Sequence, residues 1–194
     1  IGALIDFRAM QQFSRKDPRT HSIATDLVLK VGAKYAFTAY DLGLDMGGIF
    51  YKQTNDVAFF REEGTSKEYL YTGLGTNYTR FSGNNLSAYY KATGLLFDLH
   101  FTPRTKQGTF ISAGYQFVPY NQILPNLNAL PLTTLYNTTW KARFGWKSEQ
   151  QLGWSVYASV LHNRRLGNEN IVGNPAGGEY RKLISMSMYK NRQW

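Results

Sequence analysis

Cysteine is absent from the 194 residues, so neither disulfides nor thiolate metal sites are available. Long apolar runs are absent as well. No segment approaches the roughly 18–20 consecutive apolar residues of a membrane helix, and the mean hydropathy is −0.39. Carboxylates are scarce, 13 against 22 Lys and Arg, which leaves a net charge of +9. Such a balance calls for an anionic partner. No Lys/Arg block or nucleic-acid motif is present, so anionic lipid headgroups are the expected partner and nucleic acid is not. Histidine occurs three times, at His21, His100 and His162. None sits at the spacing of a metal site or an acid–base constellation, so no metal, cofactor or catalytic residue is expected.

Aromatic residues are plentiful by contrast. Fourteen Tyr, twelve Phe and four Trp make up 15% of the chain. High aromatic content with low hydropathy fits strands in which every second residue is polar. The stretch 86–119 carries this pattern most clearly. Leu95, Phe97, Leu99 and Phe101 alternate with Leu96, Asp98, His100 and Thr102; after a polar turn at 103–108, Ile111, Ala113, Tyr115 and Phe117 alternate with Ser112, Gly114 and Gln116. Period two over more than ten residues means extended chain. The same rhythm predicts strands over 3–13, 21–31, 35–52, 132–146, 152–162 and 179–194, the last with faces that the pattern leaves unassigned. Eight antiparallel up-and-down strands result, in a single domain over 1–194. Short turns fall at 32–34, 103–108 and 147–151. On the other side are 14–19 and the long loops 53–85, 121–131 and 163–178.

The two faces differ in chemistry. Asp6, Arg8, Asp26, Lys30, Asp41, Asp45, Asp98, Lys141 and Arg143 share the polar parity, where charges of both signs can neutralise one another. Tyr89, Phe101, Tyr136, Trp146 and Trp154 fall on the apolar parity as an aromatic girdle. Tyr89 and Phe101 are twelve residues apart, which is about 29 Å of height at a tilt near 45°. A Lys or Arg on a lipid-facing parity would cost about 2–4 kcal/mol at the bilayer midplane, which accounts for the segregation. A soluble ligand-binding barrel would have the opposite parity. Phe59, Phe60, Tyr69, Tyr71, Tyr78 and Phe81 in the longest loop are candidates for stacking on sugars or packing on a partner protein. Lys52, Lys91, Arg164 and Arg165 lie towards the long-loop side, where they are candidates to meet anionic headgroup phosphates.

In these alternating, aromatic-rich strands and in turns such as Ser14-Arg15-Lys16-Asp17-Pro18-Arg19, the chain resembles Gram-negative outer-membrane β-barrels, and more loosely the uncharacterised barrels of Bacteroidota. The resemblance implies an all-β transmembrane barrel of about eight strands, or an eight-strand arc of a larger one. It would have short periplasmic turns, long extracellular loops, and partners among the lipid bilayer, lipopolysaccharide and other surface proteins. The function implied is non-enzymatic: a passive channel, or a structural or accessory component of a surface transport complex. A rim hydrolase built around His162, with Ser159, Tyr157 and Glu169 nearby, is the alternative of another class.

Overall fold

The computed structural model describes residues 1–16, 19–58, 71–73, 76–77, 88–105, 107–125, 129–148, 153–172 and 182–194. Its strands are β1 (Gly2–Phe13), β2 (Arg19–Ala36), β3 (Tyr40–Ala58), β4 (Tyr71–Gly73), β5 (Thr76–Asn77), β6 (Ala88–Pro103), β7 (Gln107–Leu124), β8 (Leu130–Ser148), β9 (Trp154–Val172) and β10 (Lys182–Gln193). Eight of them form one sheet in the order β1-β2-β3-β6-β7-β8-β9-β10, and β4 with β5 makes a separate two-stranded ribbon. Every neighbour in the large sheet is antiparallel and follows in chain order, with only the β4–β5 ribbon between β3 and β6, so the architecture is an up-and-down meander. β1 and β10 do not pair with each other, and the sheet is open.

Alternation along β6 shows what each face does. Ala92, Leu96 and Asp98 are 2%, 5% and 6% exposed, whereas Leu95, Phe97 and Leu99 between and beside them are 54%, 41% and 44% exposed. We call the first face inner and the second outer. Ile49, Ala92, Leu96 and Val118 form the inner cluster, with Val28, Tyr51 and Tyr120 packed against it. The Tyr51 and Tyr120 rings meet edge to face at 5.5 Å. The outer face carries Leu42, Leu44, Met46, Phe50, Trp140, Phe144, Val156 and Val160, all exposed.

The strands run further than the hydrophobic pattern predicts. A turn is absent at 32–34, because β2 continues to Ala36 and the chain reverses at 37–39, where the Phe37 N–H donates to the Tyr40 carbonyl at 2.8 Å. Gly32 is no turn residue: it stands opposite Asp45, whose carboxylate occupies the space a Cβ would need. The three predicted loops are likewise shorter than 53–85, 121–131 and 163–178. β3 reaches Ala58, β7 reaches Leu124 with β8 starting at Leu130, and β9 reaches Val172. Asn, Gln and Thr at these ends suggest loop in a sequence. In the sheet they bond across strands: Thr134 to Asn121 at 2.8 Å, Thr133 to Gln122 at 3.1 Å, and Asn163 to Asn137 at 2.9 Å.

β10 alternates poorly because it is bulged twice, between Lys182 and Ile184 and between Ser187 and Tyr189. Each extra residue resets the parity of the residues beyond it. A different interruption separates β6 from β7, whose pairing skips Thr93–Gly94 against Val118–Pro119. Pro119 has no N–H to donate. The strands come close there, since a Cβ on Gly94 would meet the Phe117 carbonyl oxygen and Val118. Gly94→Val is therefore expected to destabilise the fold by about 1–3 kcal/mol through overpacking. A urea-unfolding midpoint unchanged from the parent would refute this close approach.

Candidate functional site

The inner face holds a ladder of ion pairs, built by the register. At the short-turn end, Lys34 Nζ lies 3.0 Å from Asp41 Oδ2 and Arg104 Nε 3.4 Å from Asp41 Oδ1. Arg104 also donates to the Phe37 carbonyl at 3.1 Å, tying two turns together. His100 Nε2 is 3.4 Å from Asp45 Oδ2, the next step along the face. Further on, Asp98 is shared: Lys30 Nζ approaches Oδ2 at 3.2 Å and Lys141 Nζ approaches Oδ1 at 2.8 Å. Arg8 pairs with Asp26 at 2.6 Å near the β1 edge.

Glycine makes the Asp98 arrangement possible. The ladder places Asp98, Gly114 and Lys141 in one row across β6, β7 and β8. With no side chain at Gly114, the Lys141 chain crosses β7 to reach the carboxylate. A Cβ there would collide with both Lys141 and Asp98. Lys30 likewise spans β3 at Gly47, the residue opposite it. Asp98 is 8% exposed as a side chain, Lys30 32% and Lys141 59%. One buried anion with two half-solvated cations carries its desolvation cost better than a single buried pair.

All nine charged residues predicted to share the polar parity do so, as the paired registers place them. Most of them take part in the contacts above. Arg143 lies over the Tyr157 ring at 4.9 Å instead, and Asp6, opposite Val28, makes no ion pair among the described residues. Sequence reasoning missed Lys34 and Arg104 because both fell in predicted turns.

The girdle residues Tyr89, Phe101, Tyr136, Trp146 and Trp154 all fall on the outer face. Phe101 stacks on Tyr40 at 4.4 Å, and Tyr136 stacks on Phe117 at 6.1 Å. Phe59, Phe60, Tyr69, Tyr78 and Phe81 lie outside the described residues, and Tyr71 pairs with Asn77 in the ribbon. His162 is opposite Trp140 on the outer face with its ring 3.9 Å from that of Trp194, whereas Ser159, Tyr157 and Glu169 belong to the inner face. The sheet thus does not bring these four together. The Gln11 side-chain amide donates a 2.8 Å hydrogen bond to His21 Nε2. Among the described residues, no group of three or more His, Asp and Glu is placed to hold a metal ion.

Together these features define an all-β protein with one eight-stranded antiparallel meander, charged on its inner face and largely apolar on its outer face. The chain belongs to a family of unknown function, DUF6850, whose model matches residues 1–194. No curated protein and no solved structure matches it.

The Lys141–Asp98 pair should couple more strongly than the Arg8–Asp26 pair, whose Arg is 65% exposed. In double-mutant cycles with alanine, we expect a coupling of about 1 kcal/mol or more for the first pair and less than about 0.5 kcal/mol for the second. Equal couplings would mean that burial of Asp98 contributes nothing.

Proposed function

We propose that this chain is part of the wall of an integral outer-membrane β-barrel that acts, without catalysis, as a passive channel or as a structural component of a surface transport complex. The observation that carries this reading is the reversed polarity of the sheet. Its exposed face carries a broad apolar belt running from Ile5 and Phe7 on β1, through Leu44, Phe97 and Phe144, to Val156 and Val160 on β9, and broken towards β10 by Arg164, Lys190 and Arg192. Water is a poor solvent for a patch of this extent, which is far beyond the few hundred Å² usual on soluble monomers. The central strands have 16 to 19 residues, more than the roughly 9–11 a tilted strand needs to cross a bilayer. Aromatic residues at both limits of the belt suit its two interfaces.

The registers favour an arc of a larger barrel over closure by these eight strands alone. One row of paired residues runs Leu4, Lys30, Gly47, Leu96, Gln116, Thr139, Asn163 and Gln193. A closed barrel of eight tilted strands staggers by on the order of eight residues in one circuit. With that stagger, β1 and β10 would share no more than about four rungs, although each has 12 residues. An unpaired edge cannot face hydrocarbon, because its N–H and C=O groups would lose their partners. A wider barrel leaves the Lys30–Asp98–Lys141 cluster lining an open interior, where fixed charge sets selectivity.

Two measurements test the reading. In planar bilayers the detergent-folded protein, its two edges closed by further strands or by a second copy, is expected to give discrete conductance steps, and Asp98→Asn to shift its ion selectivity towards anions. A heat-modifiable, folded protein that never conducts would leave the structural role and remove the channel. Because the chain has no cysteine, Leu4→Cys with Ile184→Cys gives a clean crosslinking test of the edges. We expect no disulfide within one chain; efficient formation would mean that eight strands close by themselves.

A further inference from the structure

The outer face changes character at one row of the ladder. Lys52 of β3 stands directly opposite Lys91 of β6, with Thr25 of β2 on one side and Asn121 of β7 and Thr134 of β8 on the other. Below this row the apolar belt begins with the exposed Phe50. One row above, the Tyr89 ring lies 6.0 Å from Lys52 Nζ. A cleft of about 550 Å³ opens beside Lys52, Tyr89 and Lys91.

Two ammonium groups opposite each other on one face repel. Inner-face lysines do not meet this cost unaided: Lys30 and Lys141 share Asp98, and Lys34 pairs with Asp41. Lys52 and Lys91, both exposed, have no carboxylate within ion-pair distance among the described residues. Asp56, which borders the same cleft, is the acid that shares the outer face there, and it stands two rows higher on β3. The pair is therefore a site of concentrated positive charge, with hydroxyl and amide groups in line with it and an apolar surface directly beneath.

We propose that Lys52 and Lys91 clasp a phosphate of a phosphorylated acyl-sugar lipid in the outer leaflet, its acyl chains lying on the belt below. This deepens the outer-membrane reading and rests on it. A phosphate offers several oxygens to two ammonium donors at once and cancels their repulsion. The apolar belt beginning one row below favours a lipid over free phosphate, since only a lipid gains from that surface. Tyr89, with an apolar ring and a polar hydroxyl, suits the depth at which headgroup and acyl chain meet.

The test uses the detergent-folded protein and native mass spectrometry with bis-phosphorylated lipid A. Dephosphorylated lipid A, phosphatidylglycerol and inorganic phosphate serve as comparison ligands. We expect retention of the bis-phosphorylated lipid and, in Lys52→Gln/Lys91→Gln, a loss on the order of tenfold or more. Unchanged retention in the double variant overturns the site. Equal retention of phosphatidylglycerol overturns the acyl-sugar assignment, and displacement of the lipid by millimolar inorganic phosphate overturns the lipid. Flotation with phosphatidylcholine vesicles after alkaline washing separates the two levels. Protein that fails to float sinks the membrane reading and this site with it, whereas protein that floats but shows unchanged lipid retention in the variant sinks this site alone.

Discussion

A β-strand has two faces, and a single-layer sheet has no second layer to cover either of them. The rest of this protein's construction depends on how that constraint is met. The inner face is covered by its own side chains, so that Val118 and Leu96 are almost fully buried without a helix or a second sheet packed on them among the described residues. The outer face is left uncovered and is largely apolar. A water-soluble sheet would reverse those assignments or add a layer.

Packing a charged inner face requires long cations, short anions and gaps between them. Glycine supplies the gaps. At Gly114 and Gly32 the missing Cβ is replaced by Lys141 and by the Asp45 carboxylate, reaching in from the next strand. The resulting contacts cross strand boundaries and so resist sliding of one strand against its neighbour. Slippage by one residue would carry Asp98 to the apolar face and leave two lysines behind. Ion pairs and backbone ladder thus enforce the same register.

The outer surface is graded along the strands. Aromatic rings at the short-turn end, among them the Tyr40–Phe101 stack, give way to aliphatic residues and then to Lys52, Lys91, Asn121 and Thr134. Beyond that row the strands continue with polar residues paired side chain to side chain, as in Thr133–Gln122. Backbone pairing needs no apolar side chains, which is why the sheet outlasts its hydrophobic belt.

By itself the sequence determined the class of structure and the sorting of residues between faces. Period two is a local property of extended chain, and the predicted parity of Asp98, Lys141, Phe101 and Trp146 matches the paired registers. Strand ends were illegible, because Asn121, Asn163 and Gly32 have the composition of loops and turns and only their cross-strand partners make them strand. The bulges of β10 were hidden for the same reason: an extra residue shows itself only against a neighbour. Which carboxylate meets which lysine, and that Lys52 faces Lys91, were decided by tertiary structure alone. Each depends on register between strands distant in the chain, and no single strand encodes that register.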